Sequence, residues 1–272
     1  MAEETLEEQN VPTNNPAGRL YEILANAMEI GGSGGLVIQR GIKVSEQRQT
    51  RVVLAKALEI DNPDSPDLFD GISQLFGLVN NTELAINKLQ DVNTELYLRA
   101  IIEVKEAFNS LQFNLTQDWD IIANKIDKST LEKLEFCADA LSRQQGEIVL
   151  NNEELNELFD EVRTLLEKVL DADLDKDMKS FMLEKLQDID RAIINYKFQG
   201  SKGLIQAIES TIGATVLDEK LLRTQKENPI VNSFFTLIGR VASVLNVYNN
   251  TKKLAPDVGK MLQHLLPGAK DI

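Results

Sequence analysis

The residues whose types and spacing come nearest to a chemical site lie in DADLDKDMKSFMLE, residues 171–184. Asp173, Asp175 and Asp177 alternate, and Glu184 falls twelfth counted from Asp173, which is the ligand spacing of an EF-hand calcium loop. The sixth position of such a loop is a glycine at a sharp turn. Here it is Met178, which also belongs to the apolar stripe of the helix that follows. The competing reading makes these aspartates caps for the free N–H groups and the positive end of that helix. The missing glycine favours capping, with calcium as the weaker expectation.

Other chemistry is sparse. His264 is the only histidine and Cys137 the only cysteine, so paired-histidine metal sites, zinc-binding cysteine pairs and an internal disulfide are excluded. Cys137 lies on an apolar face in LEKLEFCADAL, where acidic neighbours would raise its pKa and make it a poor nucleophile. The glycine clusters IGGSGG and GSKG lack the Gly-Lys-Ser/Thr ending of a phosphate loop and read as helix stops. No carboxylate pair stands apart as general acid and base. A carboxylate enzyme using a metal such as Mg²⁺ is the weakest of the functional expectations, and no cofactor is expected.

The charge distribution is more informative. The 272 residues carry a formal net charge of −14, which disfavours binding to nucleic acid over the bulk of the surface. The charge is unevenly spread: from Glu219 to Ile272 eight Lys and Arg stand against four Asp and Glu, leaving a net −18 on residues 1–218. Residues 228–256 hold no carboxylate, and IVNSFFTLIGRVASVLNVY within them is the most apolar stretch of the chain. At helical spacing Phe234, Leu237, Ile238, Val241, Leu245 and Tyr248 share one face. Arg240 lies on the narrow polar face, and Lys252 and Lys253 follow. This helix suits the centre of a helical core first, a protomer or partner contact second, and a membrane interface with its cations at the headgroups third.

The elements that would position these residues are helices throughout. Residues 1–14 are polar, acidic and without periodicity, which predicts a disordered tail. Asn15 before Pro16 starts a helix to about Ile30, a second runs from about Ser45 to Ile60, and a third follows Pro66, with Asn80 and Asn81 as candidate interruptions. Tyr97, Ile101, Val104, Phe108, Leu111 and Leu115 predict one long helix from Asn93, with Trp119 extending or restarting it and Ser129 capping the next. Asn151 and Glu154 form a capping-box pattern ahead of an apolar stripe from Leu155 to Leu170, and a second stripe from Met178 to Tyr196 makes a helical hairpin with it. Helices around Leu204–Ile212, from Pro229 to about Asn250, and a last turn or two at Val258–Leu266 complete the pattern.

The expected fold is therefore all-α, a bundle or array of about nine helices over residues 15–272, read as a single domain with a subdivision near 146–152 as the alternative. The N-terminus does not resemble a secretory signal and no run of about 18 apolar residues occurs, so a reducing, cytoplasmic setting is expected. With no catalytic constellation and strong amphipathic helices, the leading functional expectation is a non-enzymatic scaffold, adaptor or regulatory subunit. It would meet a basic protein partner, or a second copy of itself, through its helix faces. The alternative is a membrane-directed effector that uses the helix 229–250.

Overall fold

A computed structural model describes residues 11–32, 48–112, 114–217 and 228–245 of the chain. Among these residues there are eleven helices and no strand, only an isolated bridge between Gln49 and Asp118. The chain divides into two compact units, Met1–Glu147 and Ile148–Ile272, with the division inside the 146–152 stretch named as the alternative to a single domain.

In the first unit, α1 (Pro16–Gly31) begins as the sequence predicts, with Pro16 in the first turn and the Asn15 side chain accepting from the Gly18 N–H at 3.0 Å. α2 (Thr50–Ala57) has no side-chain cap. Its first N–H groups are satisfied instead by the chain between later helices: Thr50 donates to the Gln117 carbonyl at 2.8 Å and Arg51 to that of Leu115 at 2.9 Å. This is why the long helix expected to reach Leu115 stops early. α4 (Thr94–Asn109) ends at Ser110, so that residues 115–117 can cap α2 while Leu111 stays buried.

α3 (Pro66–Ile86) runs through Asn80 and Asn81 without a break. Both are exposed, and their low helix propensity costs a few tenths of a kcal/mol each. Burial of Leu75, Leu78, Val79 and Ile86 on the opposite face outweighs that cost. α5 (Asp120–Ala123) is a single turn, and α6 (Lys128–Gln145) is capped by Asp127 rather than by Ser129, the Asp127 side chain accepting from the Thr130 N–H at 2.9 Å. α1 packs on α2, α3 and α6, and α4 packs on α3 and α6.

Trp119, fully buried just before α5, explains a glycine. A Cβ on Gly31 would lie 2.3 Å from Trp119 Cδ1, so Gly31 makes room for the indole as well as standing where α1 ends. Gly31→Ala is expected to destabilise the first unit by about 2 kcal/mol, the overpacking of a rigid buried ring being partly offset by alanine's better helix propensity. A urea melt followed by Trp119 fluorescence would measure this, and an unchanged midpoint would contradict it.

The second unit is built on the predicted hairpin. α7 (Asn152–Asp171) carries the complete capping box, Glu154 N–H to Asn151 Oδ1 at 2.9 Å and Asn151 N–H to Glu154 Oε2 at 2.8 Å. It packs on α8 (Lys176–Ile194). The helix of the second stripe is interrupted at Asn195, and α9 (Tyr196–Gln199) ends at Gly200, whose φ of 59° suits glycine. α10 (Ser201–Leu217) packs on α8, and α11 (Pro229–Val244) packs on α7 and α10. Residues 246–250 and the turn expected at Val258–Leu266 lie outside the described residues.

Candidate functional site

α11 holds most of the residues expected to meet a partner or a membrane. Asn228 caps it, accepting from the Ile230 N–H at 2.9 Å, and Pro229 opens its first turn. Its wide face is core: Phe234, Leu237, Ile238, Val241 and Leu245 are all buried. Phe234 meets Phe181 of α8 and Phe235 edge-on, with ring centroids 6.0 and 5.1 Å apart. These five residues therefore do not form an open surface in the folded unit, because the face that would enter a bilayer is the one that closes the core against α7 and α10. Arg240 is exposed and pairs with Glu161 of α7. Tyr248, Lys252, Lys253 and His264 lie outside the described residues.

The aspartates of the calcium-loop pattern are held apart by helix. Asp175 caps α8, accepting from the N–H groups of Asp177 at 2.9 Å and Met178 at 3.5 Å. Met178 is buried as the first core residue of that helix. Glu184 is two turns along α8 and bonds Lys185 Nζ at 2.7 Å. That hydrogen bond, together with Asp188, holds the Lys185 ammonium above the usual lysine range against the opposing effect of burial. Asp173, Asp175, Asp177 and Glu184 are not brought together, and no cluster of three or more metal-ligating side chains occurs among the described residues.

A polar cleft of about 280 Å³ opens where α4 meets the start of α6, lined by Glu103, Glu106, Lys125, Asp127, Thr130 and Lys133. The Thr130 hydroxyl donates to Glu103 at 2.8 Å, and Lys133 Nζ donates to the other oxygen of the same carboxylate. Glu103 is thus committed twice, and the cleft presents a paired network instead of a poised acid or base.

Asp127 is the cap, and the N–H of Thr130 holds its carboxyl below the usual aspartate range, with help from the Thr130 hydroxyl and Lys133. A lowered folded-state pKa means that this stabilisation is full above the unfolded value near 4 and is lost as pH falls through the lower folded value. Asp127→Ala is expected to cost about 1 kcal/mol at neutral pH and less in strong acid, where the neutral carboxyl is a weaker acceptor for the Thr130 N–H. Ser129→Ala should leave the melting midpoint unchanged at both.

Cys137 is fully buried, with its Sγ 3.5 Å from the Tyr97 carbonyl, and burial pushes the thiol up to about 12. The direction is the one expected, but desolvation is the cause rather than acidic neighbours.

A feature that sequence reading passed over lies along α7. Glu153, Glu157, Asp160, Glu167 and Asp171, with Thr164 between them, follow one another at steps of four and three, and all are exposed. They form one line about 27 Å long on the side of the helix away from Leu158, Val162, Leu165 and Val169. None of the five carboxylates forms an ion pair with a described residue. Of the cations on the same helix, Arg163 is committed to Asp190 at 2.7 and 3.0 Å and lies over the Phe159 ring, and Lys168 stands beside Glu167 in the last turn. The signal was present in the sequence as a second periodicity, masked by the stronger apolar one.

Among the described residues no helix is long and apolar enough to cross a membrane. No family model matches the chain, and no curated protein or solved structure does.

Proposed function

We propose that this chain is a non-enzymatic helical scaffold, adaptor or regulatory subunit that acts through protein–protein contact, with the outer face of α7 as the surface that receives a basic partner. The observation that carries the reading is the line of five exposed carboxylates on α7, none of which forms an ion pair with a described residue. A row of like charges on a rigid helix attracts and orients an oppositely charged surface, and contributes more to encounter rate and selectivity than to tightness. The buried, high-pKa thiol of Cys137 suits a reducing, cytoplasmic setting.

The test is affinity capture from the native cell with the wild-type chain and with Glu157→Lys/Asp160→Lys/Glu167→Lys. These positions are exposed, so the fold should tolerate the change. A basic partner retained by the wild type at low salt, released at high salt and absent from the variant supports the reading. Equal retention by both would remove α7 from it. The alternative, a membrane-directed effector, draws support from the carboxylate-free run 228–256, and it requires α11 to leave the core. Flotation with anionic liposomes at near-physiological salt would favour that alternative.

A further inference from the structure

The outer face of α3 differs from those of α4 and α6 in the same unit. Away from the buried Leu75, Leu78, Val79 and Ile86, the residues Phe69, Ser73, Phe76, Asn80 and Leu84 follow one another at steps of four, three, four and four, forming one line about 22 Å long. Phe69, Phe76 and Leu84 are 66%, 37% and 58% exposed, and Ser73 and Asn80 are exposed between them. No charged residue stands in this line, whereas the exposed residues of α4 and α6 include Glu95, Arg99, Glu132 and Asp139. Exposed aromatic and aliphatic side chains without charge have the composition of an interface core.

Gly77 is an independent sign of contact. It stands in the interior of α3 beside this line, one turn after Ser73. Glycine weakens a helix interior, and a Cβ at this position would meet nothing within 4 Å, so no contact within the unit calls for glycine there. Gly71, on the buried side of the same helix, differs: a Cβ there would lie 2.9 Å from Ile60 Cδ1. A bare backbone on an exposed helix face lets a second backbone approach closely. Phe76 beside it is steadied by the Phe108 ring, with centroids 5.3 Å apart.

We propose that the outer face of α3 is a homodimer interface, in which two copies of the chain cross antiparallel at Phe76 and Gly77. The line is its own complement about that centre, because residues equally far from it stand opposite one another. Phe69 of one copy meets Leu84 of the other, Ser73 meets Asn80 with hydroxyl opposite amide, and the two Gly77 backbones close together. A chain of net charge −14 repels its own copies over most of its surface, and this face lets two copies meet without setting carboxylate against carboxylate. Asp70, on one edge, stands about 20 Å along the axis from its counterpart in such a crossing. Glu83, on the other edge, is bonded to Lys105 at 2.6 Å. The interface stands independently of the role proposed for α7.

Sedimentation equilibrium of the full chain tests this from about 1 to 200 µM, since a single helix face buries less than the roughly 800 Å² per partner of a standard interface. The average mass should rise with concentration from 30.4 kDa toward twice that value. Phe69→Glu and Leu84→Lys, both at exposed positions, should each keep wild-type helicity and weaken the dimer by on the order of tenfold or more. Phe69→Glu/Leu84→Lys should restore it, because the antiparallel crossing sets each glutamate against a lysine of the second copy, where a parallel one sets like against like. Gly77→Gln should raise the urea midpoint of Trp119 fluorescence in dilute solution, glutamine being the better helix former, and weaken the dimer. A mass that stays at 30.4 kDa throughout overturns the proposal. So does a dimer as tight in Phe69→Glu or Gly77→Gln as in the wild type, and so does a double variant that stays monomeric where the wild type pairs.

Discussion

Phe234→Asp is expected to unfold the second unit and leave the first one standing. Phe234 is fully buried in α11 between the rings of Phe181 and Phe235. Truncating such a side chain costs about 3 to 5 kcal/mol, and placing a carboxyl in the vacated space adds desolvation of a polar group. The sum is comparable with the whole stability of a typical domain, about 5 to 15 kcal/mol. The sequence supplies a way to see the two units separately, because the only tryptophan, Trp119, belongs to the first. Helical circular dichroism should fall by roughly the share of the second unit while Trp119 fluorescence and its urea midpoint stay at wild-type values. Full helicity in the variant would mean that α11 is not part of the core. Loss of the Trp119 signal as well would mean that the units fold as one.

Arg19→Met should be nearly as damaging to the first unit, at about 3 to 5 kcal/mol, because it takes the guanidinium away from the buried Glu147 carboxylate. The pair itself is worth far less than that figure. Its mutual attraction is set against the cost of removing both ions from water, so Arg19→Met/Glu147→Leu should recover most of the loss. A double-mutant cycle read from Trp119 urea melts would give the coupling directly. Additive losses in the double variant would show that the two side chains act independently.

The contrast between those two sites explains what could be read from the residues alone. Phe234, Leu237, Ile238 and Val241 announce their common face through spacing, and the Asn151–Glu154 box and the hairpin of α7 and α8 were legible for the same reason: each is a pattern completed within a few residues. Whether the α11 face met core, partner or bilayer was not legible, since all three reward the same periodicity. Asn15 was recognised as a cap, but its bond to the Ala138 carbonyl spans 123 residues, and Arg19 reaches 128 residues to Glu147. Pairings of that range leave no periodic trace, so residues 12–14 read as tail and Arg19 as one more polar residue of a helix. The same blindness placed the cap of α6 on Ser129. Asp127 offered a stronger acceptor two residues earlier, and local composition alone could not choose between them.

The contacts of Glu147 with Arg19 and Asn14 also have a consequence for how the protein is made. Asn14 lies against Gly146 and Glu147, so both ends of the described part of the first unit meet at one place. During synthesis the helices of that unit can assemble as they emerge, but their last lock has no partner until Glu147 has cleared the ribosome, so closure of the unit coincides with its release. The same adjacency makes the unit a natural insert: joined at both ends to a surface loop of another protein, it would fold without forcing that loop apart.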